Sequence, residues 1–371
     1  MQLPTPDEKE PASIRWMKRG LVGFVGFALL LGFYMAYWTV MARQLQGGMD
    51  AWIAARAAEG IVVRFEKRHM RGFPGRLHMV LDSIEIVSGA DGTRPWQWRA
   101  KSAEAWAAPW RLGDITYALR GPQRLQVGQG AQAQEFLIAN EAFGGEISIN
   151  GPQAGLLNLL VPGLAVDLDG KRLAGARRLD VDLAWNGAAD QPFGFDVGID
   201  GADMPARWAT PLGRRVSAMR LSGHVSGALA AGALQPALTA WRDSGGTMEI
   251  TRFAVEHGPL ALQSNGTAAL DADLQPEAAF SVRAEGYLET VDALVRSRIM
   301  SPGEGTAAKL VLTVIAKRPA GQTPYVETPL TLQGRELSAG DIRIARLPPI
   351  DWARLQGINL PAGLEAGKMG P

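Results

Sequence analysis

Two hydrophobic rhythms divide the chain. From Gly20 to Ala42 the run GLVGFVGFALLLGFYMAYWTVMA holds 23 residues without a charged side chain. As a helix it is about 34 Å long, enough to cross a hydrocarbon core of about 30 Å. Arg15, Lys18 and Arg19 precede it closely, whereas only Arg43 and Arg56 follow within a similar distance. The positive-inside bias therefore places residues 1–19 in the cytoplasm and the bulk of the chain across the membrane. Tyr34, Tyr37 and Trp38 near the far end, and Trp16 near the first, stand where aromatic rings favour the interface. An uncleaved anchor over 20–42 is the expectation. Its rival, a signal peptide cut after Val40-Met41-Ala42, needs an over-long apolar region and bulky Tyr37 and Trp38 beside the cut. Leu45, Met49, Trp52 and Ile53 then recur at i, i+4, i+7 and i+8. That stripe predicts a juxtamembrane helix over 43–60, weakened at Gly47-Gly48, stopped at Gly60, and docked on the folded region.

From Ile61 onward the dominant period is two. Strands are expected at Ile61–Val63, Leu77–Leu81, Ile84–Val87, Trp96–Ala100, Arg124–Val127, Gly145–Ile149, Leu179–Leu183, Phe193–Val197 and Met219–Val225. Further strands are expected at Thr247–Glu256 and Leu260–Leu270, joined through His257-Gly258-Pro259 as a hairpin, and at Ala279–Ala284, Ala308–Ala316, Glu327–Leu332 and Asp341–Leu347. Most show one apolar and one polar face, the signature of antiparallel sheet solvated on one side. Two short helices interrupt the series, Ala233–Asp243 and Leu288–Ile299, the second stopped by Ser301-Pro302-Gly303. The expected fold is mainly β: an N-terminal transmembrane helix, then antiparallel sheet with a few short helices. Gly201, Pro205 and Pro211 suggest a division into β-rich subdomains at 61–205 and 206–350, followed by a tail at 351–371. The alternative is one sheet continuing through that point.

Composition narrows the chemistry. The 371 residues allow about two domains, and the 44 glycines, about 12% against a usual ~7%, predict many turns. The absence of cysteine removes disulfide frameworks, thiolate metal sites and cysteine nucleophiles. Residues 43–371 hold 34 basic and 34 acidic side chains, so the strongly basic domain expected of a nucleic-acid binder is missing. His69, His78, His224 and His257 show no metal-binding spacing, although His69 and His78 could face each other across the turn between them. The acidic pairs Asp167/Asp169 and Asp180/Asp182 share strand faces and read as solvated or edge positions rather than a cation site. Neither a phosphate-binding loop nor a Gly-x-Ser-x-Gly elbow is present. The expectation is therefore no catalytic residues, no cofactor and no metal.

Two clusters remain as candidate contact sites. Arg64, Lys67, Arg68, Arg71 and Arg76 against Glu66 give a net +4 over 13 residues, beginning about 20 residues past the membrane run. Such a patch suits anionic headgroups, or else a solvated hairpin face. Trp96, Trp98, Trp106 and Trp110 fall within 15 residues, and Trp96 and Trp98 point the same way from a strand. They read as an apolar groove or interface, or as ordinary core.

One further signal is the order of motifs. Ala42-Arg43-Gln44-Leu45, the turn Arg71-Gly72-Phe73-Pro74-Gly75-Arg76-Leu77, Ala108-Pro109-Trp110, Trp241-Arg242-Asp243 before Gly245-Gly246, Gly266 with Leu270-Asp271, and Pro329-Leu330-Thr331-Leu332 with Gly334 before Leu347-Pro348-Pro349 occur in sequence. In that order they resemble the alphaproteobacterial domain-of-unknown-function family 2125 over about residues 30–350. The later hairpins more weakly resemble AsmA-like envelope proteins, which are anchored in the inner membrane and handle or bridge lipids in the periplasm. The resemblance implies a Gram-negative inner membrane and a periplasmic domain, and it brings no catalytic residues. The functional expectation is an anchored envelope protein that binds lipid or another amphiphile. The alternative is a non-catalytic assembly factor acting through other envelope proteins.

Overall fold

The structure, a computed structural model, describes residues 12–58, 60–88, 95–128, 130, 133–151, 154–186, 193–227, 232–321, 323–352 and 359–360, with side chains between Leu21 and Trp352. The segments expected at 1–19 and 351–371 lie largely outside the described residues.

One helix, α1 (Ala12–Ala58), spans the apolar run and the juxtamembrane stripe without interruption. It passes straight through Gly47-Gly48, and Gly60 closes it at φ +79°, donating its N–H to Ala57 O at 3.0 Å. Its apolar part is long enough to cross a membrane, and none of its most apolar 18-residue window is buried. Past the apolar run, Leu45 and Met49 pack on a buried cluster of Met79, Leu81, Ile84 and Ala100, so the stripe docks on the sheet.

The sheet is an antiparallel meander of seventeen strands among the described residues. β1 (Ile61–Arg64) and β2 (Lys67–Arg71) share β3 (Leu77–Ser88) as a broken edge strand. β4 (Trp96–Ala108) and β5 (Arg111–Val127) follow. β6 (Gln134–Ala139) and β7 (Phe143–Ile149) form a second broken strand between β5 and β8 (Ala154–Leu168). β9 (Lys171–Asn186), β10 (Phe193–Asp203) and β11 (Arg215–Ser226) each pair with the preceding strand. The sheet then runs through β13 (Thr247–His257), β14 (Leu260–Leu270), β15 (Pro276–Glu285), β16 (Tyr325–Gln333), β17 (Glu336–Ala339) and β18 (Ile342–Arg346). β12 (Gly232–Ala233) pairs apart from the sheet with β19 (Asn359–Leu360). The division suggested near 205 falls between β10 and β11, which pair from Phe193↔Val225 to Asp203↔Arg215 within this one sheet.

Among the described residues three short α-helices decorate the meander: α2 (Leu234–Asp243), α3 (Tyr287–Arg296) and α4 (Pro302–Ile315). The segment Ala308–Ala316, expected as a strand from its alternation, lies almost wholly within α4. Ser301 and Glu304 form a reciprocal capping box with Pro302 in the first turn, which starts a helix where a stop was expected. Once that turn is set, Gly305 packs against Val295 of α3 and Lys309 pairs with Asp292, fixing the helical register.

A row of irregularities crosses the strands side by side. It runs through Ser83 (φ +52°), the bulge between Ala100 and Ser102, Gly121 (φ +77°), the break between β6 and β7, Gly163 (φ +62°) and Gly201 (φ +61°). The pairs flanking Arg177, Pro162↔Arg178 and Leu164↔Ala176, set it opposite Gly163, and Asp200↔Arg178 sets it beside Gly201. At Gly163 and Gly201 a left-handed conformation is required, and a Cβ would strike Glu141 and Arg177 side chains respectively. Each bulge bends its strand and sharpens its twist, so a row of them forms a crease across the sheet.

Candidate functional site

Residues directly opposite on antiparallel strands share a face, so the registers sort every strand into two sides. One side carries Trp98, Leu125 and Phe136 on β4 to β6, then Leu157, Leu183, Phe195, Gly223 and Ile250 on β8 to β13, and Ser264, Val282 and Thr328 on β14 to β16. The other side carries Glu85, Arg99, Glu104 and Arg120 at one end and Asp180, Asp182, Asp196, Arg220, His224 and Glu249 further along. The meander thus has one apolar face along most of its length.

Among the described residues that face has no continuous second layer. α1 covers the β3–β4 end and α3 packs on β14. Between Ala107 and Ala237, prolines aside, Val161 is the single buried hydrophobic side chain among the described residues. Leu125, Phe136, Leu157, Val181, Leu183, Phe193, Phe195, Val197, Ile199 and Leu221 are all half-buried. A soluble sheet normally buries such a face against another layer. Here the side chains shelter one another along the sheet from β5 to β11.

The apolar face has a repeated construction. Tyr117 lies opposite Gly145, Trp185 opposite Gly155, Phe195 opposite Gly223 and Phe280 opposite Gly266. At Gly155 and Gly266 a Cβ would fall 2.2 and 2.5 Å from the opposing ring, and at Gly223 2.9 Å from Phe195 Cζ. Beside Gly145, Tyr117 Oη donates to Asn158 O at 2.9 Å, and burial raises the Tyr117 phenol pKa. The missing Cβ atoms let these rings lie across the neighbouring strand. Many other glycines serve turns, as the composition suggested, but these four stand inside strands.

The outer face is held by ion pairs. Arg120 bonds Glu104 at 3.0 Å and, as the chief cause, lowers the Glu104 pKa, with His78 adding to the shift. Arg99 does the same for Glu85, which also meets Arg64 and Gln97. Arg220 makes a forked contact to Asp200 at 3.0 and 3.1 Å, which raises its own pKa. The acidic pairs are occupied within the protein: Asp167 by Arg172, Asp169 by the Glu135 N–H, Asp180 by Arg178 and Asp182 by Asn158. Among the described residues no group of three acidic or imidazole side chains stands where a metal ion fits. The histidines are dispersed. His69 sits opposite Val80 and pairs with Asp82, whereas His78 sits opposite Arg71 and pairs with Glu104. They share a face but are not directly opposed, because the register places each one step from the other.

The two candidate clusters come apart in the fold. Trp96 and Trp98 do share the apolar face, with Trp98 packed at the α1-covered end. Trp106 lies on the outer face, edge-on to His78 at 5.5 Å, and Trp110 stands exposed at the β4–β5 turn. In the basic cluster, Arg64 pairs with Glu85 and Arg68 with Asp50 of α1. Lys67, Arg71 and Arg76 have no carboxylate partner among the described residues. A polar depression of about 450 Å³ between β13 and β16, lined in part by Arg252, Asn265, Arg283 and Tyr325, was not expected. Its residues come from four strands, so only the register brings them together.

Comparison with known proteins gives one match. The model of a family described as an uncharacterised protein conserved in bacteria, DUF2125, covers residues 38–348. No curated protein and no solved structure matches the chain, and the AsmA-like resemblance has no counterpart in these comparisons.

Proposed function

The chain belongs to the DUF2125 family, and from that premise we propose that it is an inner-membrane-anchored periplasmic protein whose apolar sheet face binds the apolar part of a lipid or similar amphiphile. In this reading α1 is an uncleaved single-pass anchor, residues 1–19 are cytoplasmic, and the sheet stands in the envelope. The observation that carries it is the run of half-buried apolar side chains from β5 to β11, a stretch in which the described residues bury almost none. Acyl chains supply the layer the fold omits, and at about 25 cal/mol per Å² of apolar surface removed from water their burial is favourable.

The test is lipid extraction from the detergent-purified full chain, beside a Val181→Asp/Val197→Asp variant that charges one directly opposed pair on that face. A lipid retained by the natural chain and reduced at least fivefold in the variant is the expected result. Equal lipid in both reflects only the annulus around α1 and removes the reading.

A second reading, an envelope scaffold acting through protein contacts, is favoured by a different feature. Leu310, Val311, Val314 and Ile315 form an exposed apolar face on α4, and Ile342 and Ile344 are exposed on edge strand β18. Crosslinking to another envelope protein through these residues, with no lipid on the apolar sheet face, would favour it.

A further inference from the structure

The upper contact between the sheet and α1, along Leu45 and Met49 with Arg68 paired to Asp50, is ordinary packing on the core. A second lies lower, beside the apolar run. Tyr34 Oη donates to Pro74 O at 2.5 Å, Trp38 Nε1 to Arg76 O at 3.2 Å, and Tyr37 Oη to Pro109 O at 2.9 Å. The acceptors belong to two turns, β2–β3 and β4–β5. Phe73, at the tip of the first, lies 6.0 Å from the Tyr34 ring and edge-on to Trp38 at 5.8 Å.

The depth of these contacts follows from helix rise. A core of about 30 Å takes about 20 residues at 1.5 Å each, so counted from Gly20 the hydrocarbon ends near Thr39. Tyr34, Tyr37 and Trp38 therefore occupy roughly its last 8 Å. The two turns bonded to them reach the same level.

We infer that the β2–β3 and β4–β5 turns are membrane-dipping tips, seated in the headgroup and upper acyl region of an anionic bilayer beside α1. This rests on the anchor reading of α1. Three features of the tips fit that occupant. Backbone carbonyls in a bilayer find no water and are costly when unsatisfied. Those of Pro74, Arg76 and Pro109 each receive a donor from the helix itself. The outermost side chains, Phe73 and Trp110, are 45% and 62% exposed in the protein alone, and their rings suit the interfacial layer. Arg71 and Arg76 are exposed and free of carboxylates among the described residues, with stems long enough to carry guanidinium groups up to lipid phosphates. Arg111, beside Trp110, meets Asp114 at 3.8 Å and no other carboxylate among the described residues. Part of the basic cluster thus gains a role that a solvated hairpin face would not give it.

The chain contains no cysteine, so single cysteines can be placed without background. Full-length Leu29→Cys, Phe73→Cys, Gly75→Cys, Trp110→Cys and Thr267→Cys chains are labelled with an environment-sensitive fluorophore. They are reconstituted in nanodiscs of phosphatidylcholine and phosphatidylglycerol carrying nitroxide lipids. A Cβ at Gly75 would meet nothing within 4 Å, which keeps the first turn testable should Phe73→Cys misfold. Position 29 should be quenched by a deep nitroxide. Positions 73, 75 and 110 should be quenched by a shallow nitroxide at least threefold more than exposed position 267 on β14. Quenching at 29 with 73, 75 and 110 at the level of 267 overturns the tips and leaves the anchor standing. Absence of quenching at 29 overturns both.

Discussion

At the scale of single residues, the informative positions are glycines inside strands. Gly145 faces Tyr117, and a Cβ there would stand 1.8 Å from Asn158 O, a backbone atom with no room to retreat. Gly145→Ala is therefore expected to cost about 3 kcal/mol, the upper range for overpacking, and to lower the melting temperature by several degrees. Gly303→Ala, in the first turn of α4 with open space around it, should be neutral or slightly stabilising. Thermal denaturation of the two variants checks both. The alternation of polar and apolar residues was legible from the chain, as was the common face of Trp96 and Trp98. The glycine–aromatic pairs were not. Tyr117 and Gly145 are 28 positions apart, and only the strand register shows that they meet. The same limit separates Trp106 and Trp110 from their neighbours: a cluster within 15 residues of sequence spans a strand, two faces and a turn.

At the scale of elements, β2, β6 and β8 were not expected from the pattern, and local chemistry decided the one segment expected as a strand and found as a helix. The segment Ala308–Ala316 alternates as a strand does, but it follows Ser301-Pro302-Gly303-Glu304, whose capping box commits the chain to a helix. Helix α4 then displays Leu310, Val311, Val314 and Ile315 on one side, a 3.6-residue stripe hidden within a two-residue rhythm. Ser301→Ala should destabilise α4 by about 1 kcal/mol. Amide hydrogen exchange should show that loss as faster exchange across 302–315, with the β8–β10 amides unchanged. Equal rates in both proteins would mean that packing on α3 alone holds the helix. The juxtamembrane helix, the 257–259 hairpin and most strands were legible because their periodicity agrees with their caps and turns. Strand lengths were not, since bulges at Ser83 and Gly163 shift the rhythm partway along β3 and β8.

At the scale of the whole molecule, the antiparallel sheet was legible, whereas its continuity past residue 205 was not. The Gly/Pro-rich connection there resembles a linker, yet β10 and β11 on either side zip together. Pieces comprising 43–205 and 206–371, without the apolar run, should therefore each expose an unpaired strand edge and aggregate when made alone, and regain solubility when made together. Size-exclusion chromatography of separate and joint expressions reads this out. Two well-folded monomeric pieces would instead establish two subdomains. Neither the uncovered face nor the docking of two turns on Tyr34–Trp38 was visible in the chain, because both depend on what fails to pack and on where a helix ends up.

The nearly unbroken succession of neighbours in the meander bears on how the protein is made. In an anchored chain the amino-terminal strands emerge first, and each later strand finds its predecessor already laid down. Loop closure is then cheap at every step, since few pairings wait for distant sequence. The strand order predicts assembly as a travelling front, with the newest edge as the template for the next strand until β18 brings it to rest.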